Sequence, residues 1–385
     1  MPPPATLARG AVREEGGGTH TMRMPLRAPV LWAAPRGGET TLNRSARLLF
    51  RDVRGPDVAV VQEFTPGRAP SGVDLRNFTG NVESVPPCEG HPQGRVLYGT
   101  APRRAPDPAF VRMIEAQGVQ PAVAIDMSWL LVGHVDETVH VVRARTERGW
   151  TMAVADPHLA VEPLRRAQRA GEGGQRLFPG TSTEHKPTVD APLSDQDFLA
   201  GNEQAARHID DQTGVLLRET GLPRGDLVRV PELYAMISAD RGGPEGALAC
   251  SPGVANGLSL TARHYAAPYP HGPKVRGREV FRVGTEEALA AGGVRVHWVE
   301  NFAWSHLAGG QVHCATNALR DTSGNSLVAH RPEWLTVGAR RSSEAVRVGS
   351  GAPGTQCRQT GRLGSGHRTG AKCPVRRRSG HDAER

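Results

Sequence analysis

Between Thr21 and Arg320 the apolar residues of this chain come in short runs, many of them set off by Pro, Gly or Asn. Val58–Val61, Val96–Tyr98, Ala122–Ile125, Val139–Val142, Thr151–Val154, Leu227–Val230, Val280-Phe281 and Val294–Val299 have the length and β-branched content of strands. Longer periodic stretches stand between them. Pro108–Gln117 carries Phe110, Met113 and Ile114 on one helical face, and Pro157–Ala170 is amphipathic. Ser194–Thr220 opens on Ser194 as its N-cap and closes at Gly221-Leu222-Pro223, with Phe198, Ala205, Ile209 and Leu216 as a core stripe. Glu286–Ala291 is a short helix. The order strand, loop, strand, helix repeats, with no Gly-rich phosphate loop, and so predicts an α/β body of a kind other than a nucleotide fold.

With 46 glycines and 31 prolines among 385 residues, about one residue in five favours turns. No apolar run is long enough to cross a bilayer. Residues 1–20 lack an apolar core segment and read as disordered rather than as a secretory leader. The net charge of +8 is uneven: residues 321–385 hold 12 Lys+Arg against 5 Asp+Glu. The basic balance thus belongs to a disordered tail, and the body carries no signature of specific nucleic-acid binding. Five cysteines without a C-x-x-C pair indicate neither a zinc framework nor a disulfide scaffold, and a cytoplasmic location is expected.

Two short segments carry chemistry. Asp126–Glu137 sets His134 and Asp136 two positions apart after an apolar run and a glycine. In an extended segment such residues face one side, which places an acid/base beside a carboxylate. Among the cysteines, Cys314 stands in a strand-like, polar-flanked context between His313 and Ala315-Thr316-Asn317, whereas Cys250 reads as a small buried hydrophobe. A thiol, an imidazole and a carboxylate are the parts of nucleophilic catalysis. A metal-dependent hydrolase using His134, Asp136 and His313 is the competing reading of the same residues.

Asp126–Glu137 together with Gln311–Arg320 resembles the active-site signature of the protein-arginine deiminase family, which reads Ser-Trp-Leu-x-x-Gly-His-Val-Asp-Glu and Gly-Glu-Val-His-Cys-Gly-Thr-Asn. Arg54–Val58, Gly80–Glu83, Ala116–Pro121, Gly253–Gly257 and Pro270–Pro273 agree in family order. The resemblance implies a pentein-type five-bladed α/β propeller over residues 21–320, incomplete at the N-terminus. It also implies calcium-dependent hydrolysis of peptidyl-arginine to peptidyl-citrulline and ammonia. By the match, Cys314 is the nucleophile, His134 the acid/base and Asp136 the guanidinium anchor. Val132 lies along the substrate stem, Arg44 holds the substrate backbone, and Glu83, Thr79 and Val82 are calcium ligands. Arginine-containing proteins or peptides are the implied substrates, with a second copy of the chain as a homodimer partner and no membrane partner.

The family also carries a second guanidinium-binding aspartate in a Trp-x-x-Asp stretch. Here Trp32 is followed by Ala33-Ala34-Pro35, so the expectation is an N-terminally truncated member. A lost charge-assisted partner costs about 1.5–3 kcal/mol in binding. An impaired member that binds arginine-containing peptides without turnover is therefore the alternative.

Overall fold

The computed structural model describes residues 5–13, 19–32, 41–42, 47–68, 74–102, 104–116, 120–237 and 245–316. Arg44, Asn317 and the 321–385 tail lie outside them.

Three of the sheets share one plan. Val82–Val85 runs antiparallel to Arg95–Thr100, which pairs in parallel with Ala122–Asp126 after the helix Pro108–Ala116. Val139–Arg143 runs antiparallel to Trp150–Asp156, which pairs in parallel with Val228–Pro231 after the helices Pro157–Ala167 and Gln196–Thr220. Leu258–Thr261 runs antiparallel to His264–Pro268, which pairs in parallel with Arg295–Val299 after the helix Val280–Ala291. Short turns suffice for the antiparallel steps, while each parallel step needs a crossover, which a helix supplies. Between the second and third units lies the two-stranded sheet Tyr234–Ile237/Gly246–Ala249. The architecture is mixed α/β with small sheets, and no sheet among the described residues closes on itself.

The units share one apolar core. Leu97, Val123 and Ile125 come from the first sheet, Val141, Met152 and Val154 from the second, and Tyr265 and Ala267 from the third. Hydrogen bonds tie the units where apolar contact ends. Trp150 Nε1 donates to the Pro87 carbonyl at 3.3 Å, and Gln212 Nε2 donates to the Asp126 carbonyl at 2.8 Å. The stripe Phe198, Ala205, Ile209 and Leu216 is buried as its spacing predicts.

Several local expectations differ from the structure. Ala5–Arg13 is a strand paired with Thr19–Arg27, so residues 1–20 are not wholly without regular structure. Val58–Val61 is extended but forms isolated bridges, parallel with Arg23 and Leu26 and antiparallel with Gly55, rather than a strand. Arg23, Val61 and Arg27 each donate along this pair, but Pro25, at the rung between them, has no N–H to give. The cap of the long helix is Asp195, accepting from Phe198 N at 3.0 Å, while Ser194 Oγ bonds back to the Asp190 carbonyl. Val280-Phe281 opens a helix, because the Glu279 carboxyl caps it at Arg282 N.

Asn81 fixes the loop on which the site rests. Fully buried, it accepts from Gly99 N at 2.9 Å and donates to the carbonyls of Gly99 at 2.8 Å and Arg76 at 3.0 Å. Asn81→Ala strands these backbone groups away from water and is expected to cost about 2–4 kcal/mol. A urea unfolding midpoint that stays within error of the parent would show that the loop does not depend on this side chain.

Candidate active site

The strand Ala122–Asp126 ends in a turn that returns through Gly133, whose φ is +75°. A Cβ there would overlap the Arg76 guanidinium, which packs beneath the loop and donates to the Met127 carbonyl at 3.1 Å. His134 is extended, but Val135–Glu137 turns into a single 3-10 turn. Glu137 causes this by accepting from His134 N at 2.7 Å. The expected extended run is thus replaced by a capped turn. Ring and carboxylate still share a pocket, with His134 Nδ1 3.8 Å from Asp136 Oδ1. Both side chains are buried, and only a glycine fits beside them, since a Cβ on Gly80 would lie 2.8 Å from Asp136 Oδ2.

Cys314 arrives on a 3-10 turn, His313–Ala315, rather than on a strand. Asn256 holds that turn twice. Its carbonyl accepts from His313 N at 3.1 Å, and its side-chain oxygen accepts from Cys314 N at 3.3 Å. Its amide also donates to the Cys314 sulfur at 3.3 Å. The thiol in turn donates to Asp136 Oδ2 at 3.4 Å, across 178 residues of sequence. His313 bridges two carboxylates, with Nδ1 2.8 Å from Asp136 Oδ2 and Nε2 2.9 Å from Glu83 Oε1.

Burial and charge divide these groups by protonation. Burial opposes a charge on His313, but Glu83 and Asp136 outweigh it and raise the imidazole to about 10. His313 is therefore a cation clasped between two carboxylates. Burial lowers the His134 pKa against the pull of Asp136, so this ring is neutral. Its Nε2 meets the Leu75 carbonyl at 2.8 Å, which fixes the proton there and leaves Nδ1 as a lone pair facing Asp136 and the thiol. Burial, reinforced by Asp136, pushes the Cys314 thiol well above its ordinary value. Burial and the Asp136 charge raise Glu137 to about 8. Burial likewise raises Glu232, and both acids line a small cavity of about 20 Å³ beside Cys314.

The structure thus gathers Cys314, His134 and Asp136, with ligand-capable atoms all within 4.8 Å of one another. Glu83, His140 and His313 form a second such group. This grouping differs from the His134, Asp136 and His313 set of the metal-hydrolase reading. Val132 is half-buried in the bend before Gly133, and Thr79 and Val82 flank the turn that leads to Glu83. Arg44 lies outside the described residues. Asn256, Glu137, Glu232 and His140 were not singled out by sequence. Asn256 lies inside the matching Gly253–Gly257 segment, which was its only signal.

Residues 19–325 match the family model for protein-arginine deiminase (PAD). Protein-arginine deiminase type-3 of Rattus norvegicus is 31% identical over 306 residues, covering 76% of this chain and 44% of the relative. The Homo sapiens type-3 protein is 32% identical over 305 residues, covering 76% and 43% respectively. The chain therefore spans less than half the length of these curated relatives. Among solved structures, C. jejuni agmatine deiminase superposes with a TM-score of 0.37 at 12% identity, covering 80% of this chain and 69% of that one.

The clasped imidazolium makes stability depend on pH. The folded pKa of His313, about 10, lies above its ordinary 6.5, so its contribution is full below 6.5 and is lost as pH rises through 10. Glu137, raised from 4.5 to about 8, acts in the same direction over a lower window. The unfolding midpoint is expected to fall between pH 6.5 and 10, and His313→Gln should flatten the upper part of that fall. An identical slope in the variant would remove the imidazolium from the account.

Proposed function

Because the chain belongs to the protein-arginine deiminase family, we propose that it hydrolyses peptidyl-arginine to peptidyl-citrulline and ammonia through Cys314. The observation that carries this reading is the meeting of Cys314, His134 and Asp136 from two segments far apart in sequence. We further propose a pentein-type propeller. Three units of one strand order support it, as does the position of their first strands, which bring Glu83, His140 and Ser259 toward one centre.

The residues divide the chemistry as follows. A guanidinium is planar, cationic and a poor electrophile, so it needs a carboxylate to hold its N–H fork. Asp136 takes that part. Its Oδ2 is occupied by His313, so an entering arginine exchanges one cation for another. A guanidinium beside Cys314 offsets the charge that now holds the thiol protonated. The thiol proton passes to the lone pair of His134 Nδ1 as sulfur bonds to the guanidinium carbon. His134 returns that proton to the departing nitrogen, the C–N bond breaks, and ammonia leaves. Water then gives a proton to His134 and its oxygen to the carbon. The C–S bond breaks and the proton on His134 returns the sulfur to a thiol, while the hydroxyl proton of the new carbonyl passes to solvent, where ammonia takes it up as ammonium, and neutral peptidyl-citrulline remains.

Calcium would draw on Glu83, Thr79 and Val82. The Glu83 carboxylate engages His313, the Thr79 carbonyl accepts from Val82 N, and Val82 pairs with Tyr98 in its sheet. Calcium takes about six to eight oxygens, and these three residues, as arranged, do not fit that need. No step is derived through it. The second reading, arginine-peptide binding without turnover, draws on the second guanidinium-binding aspartate of the family, which Ala33-Ala34-Pro35 after Trp32 does not supply.

Citrulline release from a peptidyl-arginine substrate, with and without added calcium, tests both readings. The expected result is turnover that falls at least about a thousandfold in Cys314→Ala. In Asp136→Asn, kcat/KM should fall about 10- to 100-fold. Peptide binding with no citrulline from folded protein would favour the second reading. Turnover unchanged in Cys314→Ala would sink the thiol mechanism.

A further inference from the structure

The neutral ring of His134 can serve as a base toward Cys314 only while its proton sits on Nε2. The buried Asp136 carboxylate, 3.8 Å from Nδ1, draws that proton the other way. What opposes the pull is the Leu75 carbonyl, 2.8 Å from Nε2, so the place of this carbonyl decides the tautomer. We propose that Arg68 is a positioning residue for His134: its guanidinium clamps Asp74 and Asp107, and the clamp fixes the turn Leu75–Asn77 that presents this carbonyl.

The turn does not hold itself. Asp74 stands at its N-cap position, but the carboxylate accepts no cap bond. It accepts instead from Arg68 Nη2 at 2.8 and 3.0 Å, from Leu31 N at 2.6 Å and from Asn77 Nδ2 at 2.6 Å. The same guanidinium donates from Nε to Asp107 Oδ2 at 3.0 Å, and Asp107 N donates to Asn77 Oδ1 at 2.7 Å. Arg68, Asp74, Asn77 and Asp107 thus form a closed ring of contacts. Asp107 also accepts from Ala109 N at 2.9 Å, which ties the ring to the helix Pro108–Ala116. Both carboxylates are buried, and Arg68 is the cation that bonds to each. A guanidinium suits this part because its fork reaches two acceptors at once and keeps its charge. Asn81 holds the other end of the segment at the Arg76 carbonyl, which leaves the Leu75 end to the clamp.

The catalytic consequence rests on the deiminase reading. Without the fork, two buried carboxylates lose the cation they share, and the turn shifts to relieve them. His134 Nε2 then loses its acceptor, and the proton settles on Nδ1 beside Asp136. The ring offers the thiol no lone pair, while Asp136 and Cys314 keep their places. The kcat should therefore fall with the share of the Nε2–H tautomer, and KM should stay close to the parent's.

The test reads the tautomer of His134 directly, from the nitrogen NMR shifts of its ring in the full chain, with His134→Gln assigning the signals. The parent should carry the proton on Nε2. Arg68→Lys keeps the charge but loses the fork, and Asp74→Asn keeps the shape but loses the charge. In each, a share of the proton should move to Nδ1, and Asp74→Asn decides the matter where Arg68→Lys fails to fold. Arg169→Lys, which alters the exposed pair with Glu162, should match the parent. Citrulline release is measured on the same proteins. In Arg68→Lys kcat should fall at least about tenfold, with the about 10⁴-fold loss of a fully wrong histidine tautomer as its limit. A proton that stays on Nε2 in the folded variants would overturn the clamp, as would an equal shift in Arg169→Lys. A tautomer that moves without loss of kcat would overturn the link to the reaction. A parent that holds the Nε2 proton yet releases no citrulline would count against the deiminase reading alone, because the ring shifts judge the clamp without turnover.

Discussion

The arrangement depends on one buried carboxylate. Asp136 has no exposed surface, and an isolated charge in such a place is costly. The structure meets that cost with a cation: His313 sits on Oδ2, and Glu83 on the far side keeps the ring protonated. The surrounding backbone follows from this core. Gly80 is required because no Cβ fits against Asp136, and Asn81 pins the same loop to Gly99. Gly133 is required because Arg76 occupies the space a side chain would need. The turn Val135–Glu137 brings Asp136 inward, and Asn256 brings the turn of His313 and Cys314 to meet it.

The same field separates the reactive groups. Burial, reinforced by the Asp136 charge that also draws the proton to His313, holds the proton on Cys314, 3.4 Å from that carboxylate. His134, within 4 Å of the same carboxylate, stays neutral because burial outweighs attraction there. A cation, a thiol and a free base therefore coexist around one carboxylate. What differs among them is the balance of desolvation and Coulomb attraction at each position.

Much of this was legible in the chain, and the limits have physical causes. Short apolar runs marked two strands of the first unit, all three of the second and the last of the third, while Val82–Val85, Leu258–Thr261 and His264–Pro268 were not marked; the stripe Phe198 to Leu216 marked the buried face of the long helix. Errors fell where a side chain overrules local pattern. Glu137 turns a segment that reads as extended, Glu279 starts a helix where Val280 and Phe281 read as strand, and Asp195 rather than Ser194 makes the cap. His134, Asp136 and Cys314 were named because their residue types and sequence contexts carry the chemistry. His140, Asn256 and Glu232 were not, because their importance lies in contacts that no local spacing encodes. Asn256 reaches Cys314 across 58 residues, and His140 reaches Ser259 across 119. The role of His313 as a resident cation was hidden for the same reason, although it adjoins Cys314.

That resident cation bears on what an arginine brings to the pocket. Under the proposed reaction, exchange of imidazolium for guanidinium conserves the charge facing Asp136, so the buried carboxylate is never left alone. The two cations differ in shape and in permanence. An imidazolium presents one N–H to Asp136 and can lose its proton, whereas a guanidinium presents a planar fork and keeps its charge. The fork also extends toward Cys314, because the sulfur and Asp136 Oδ2 are neighbours. A permanent positive charge there lowers the cost of ionising the thiol, which the present arrangement keeps high. Under that proposal the substrate supplies both the carbon to be attacked and the field that readies the sulfur. In the proposed reaction the pocket keeps the Cys314 thiol quiet until the right cation has replaced the one it already holds.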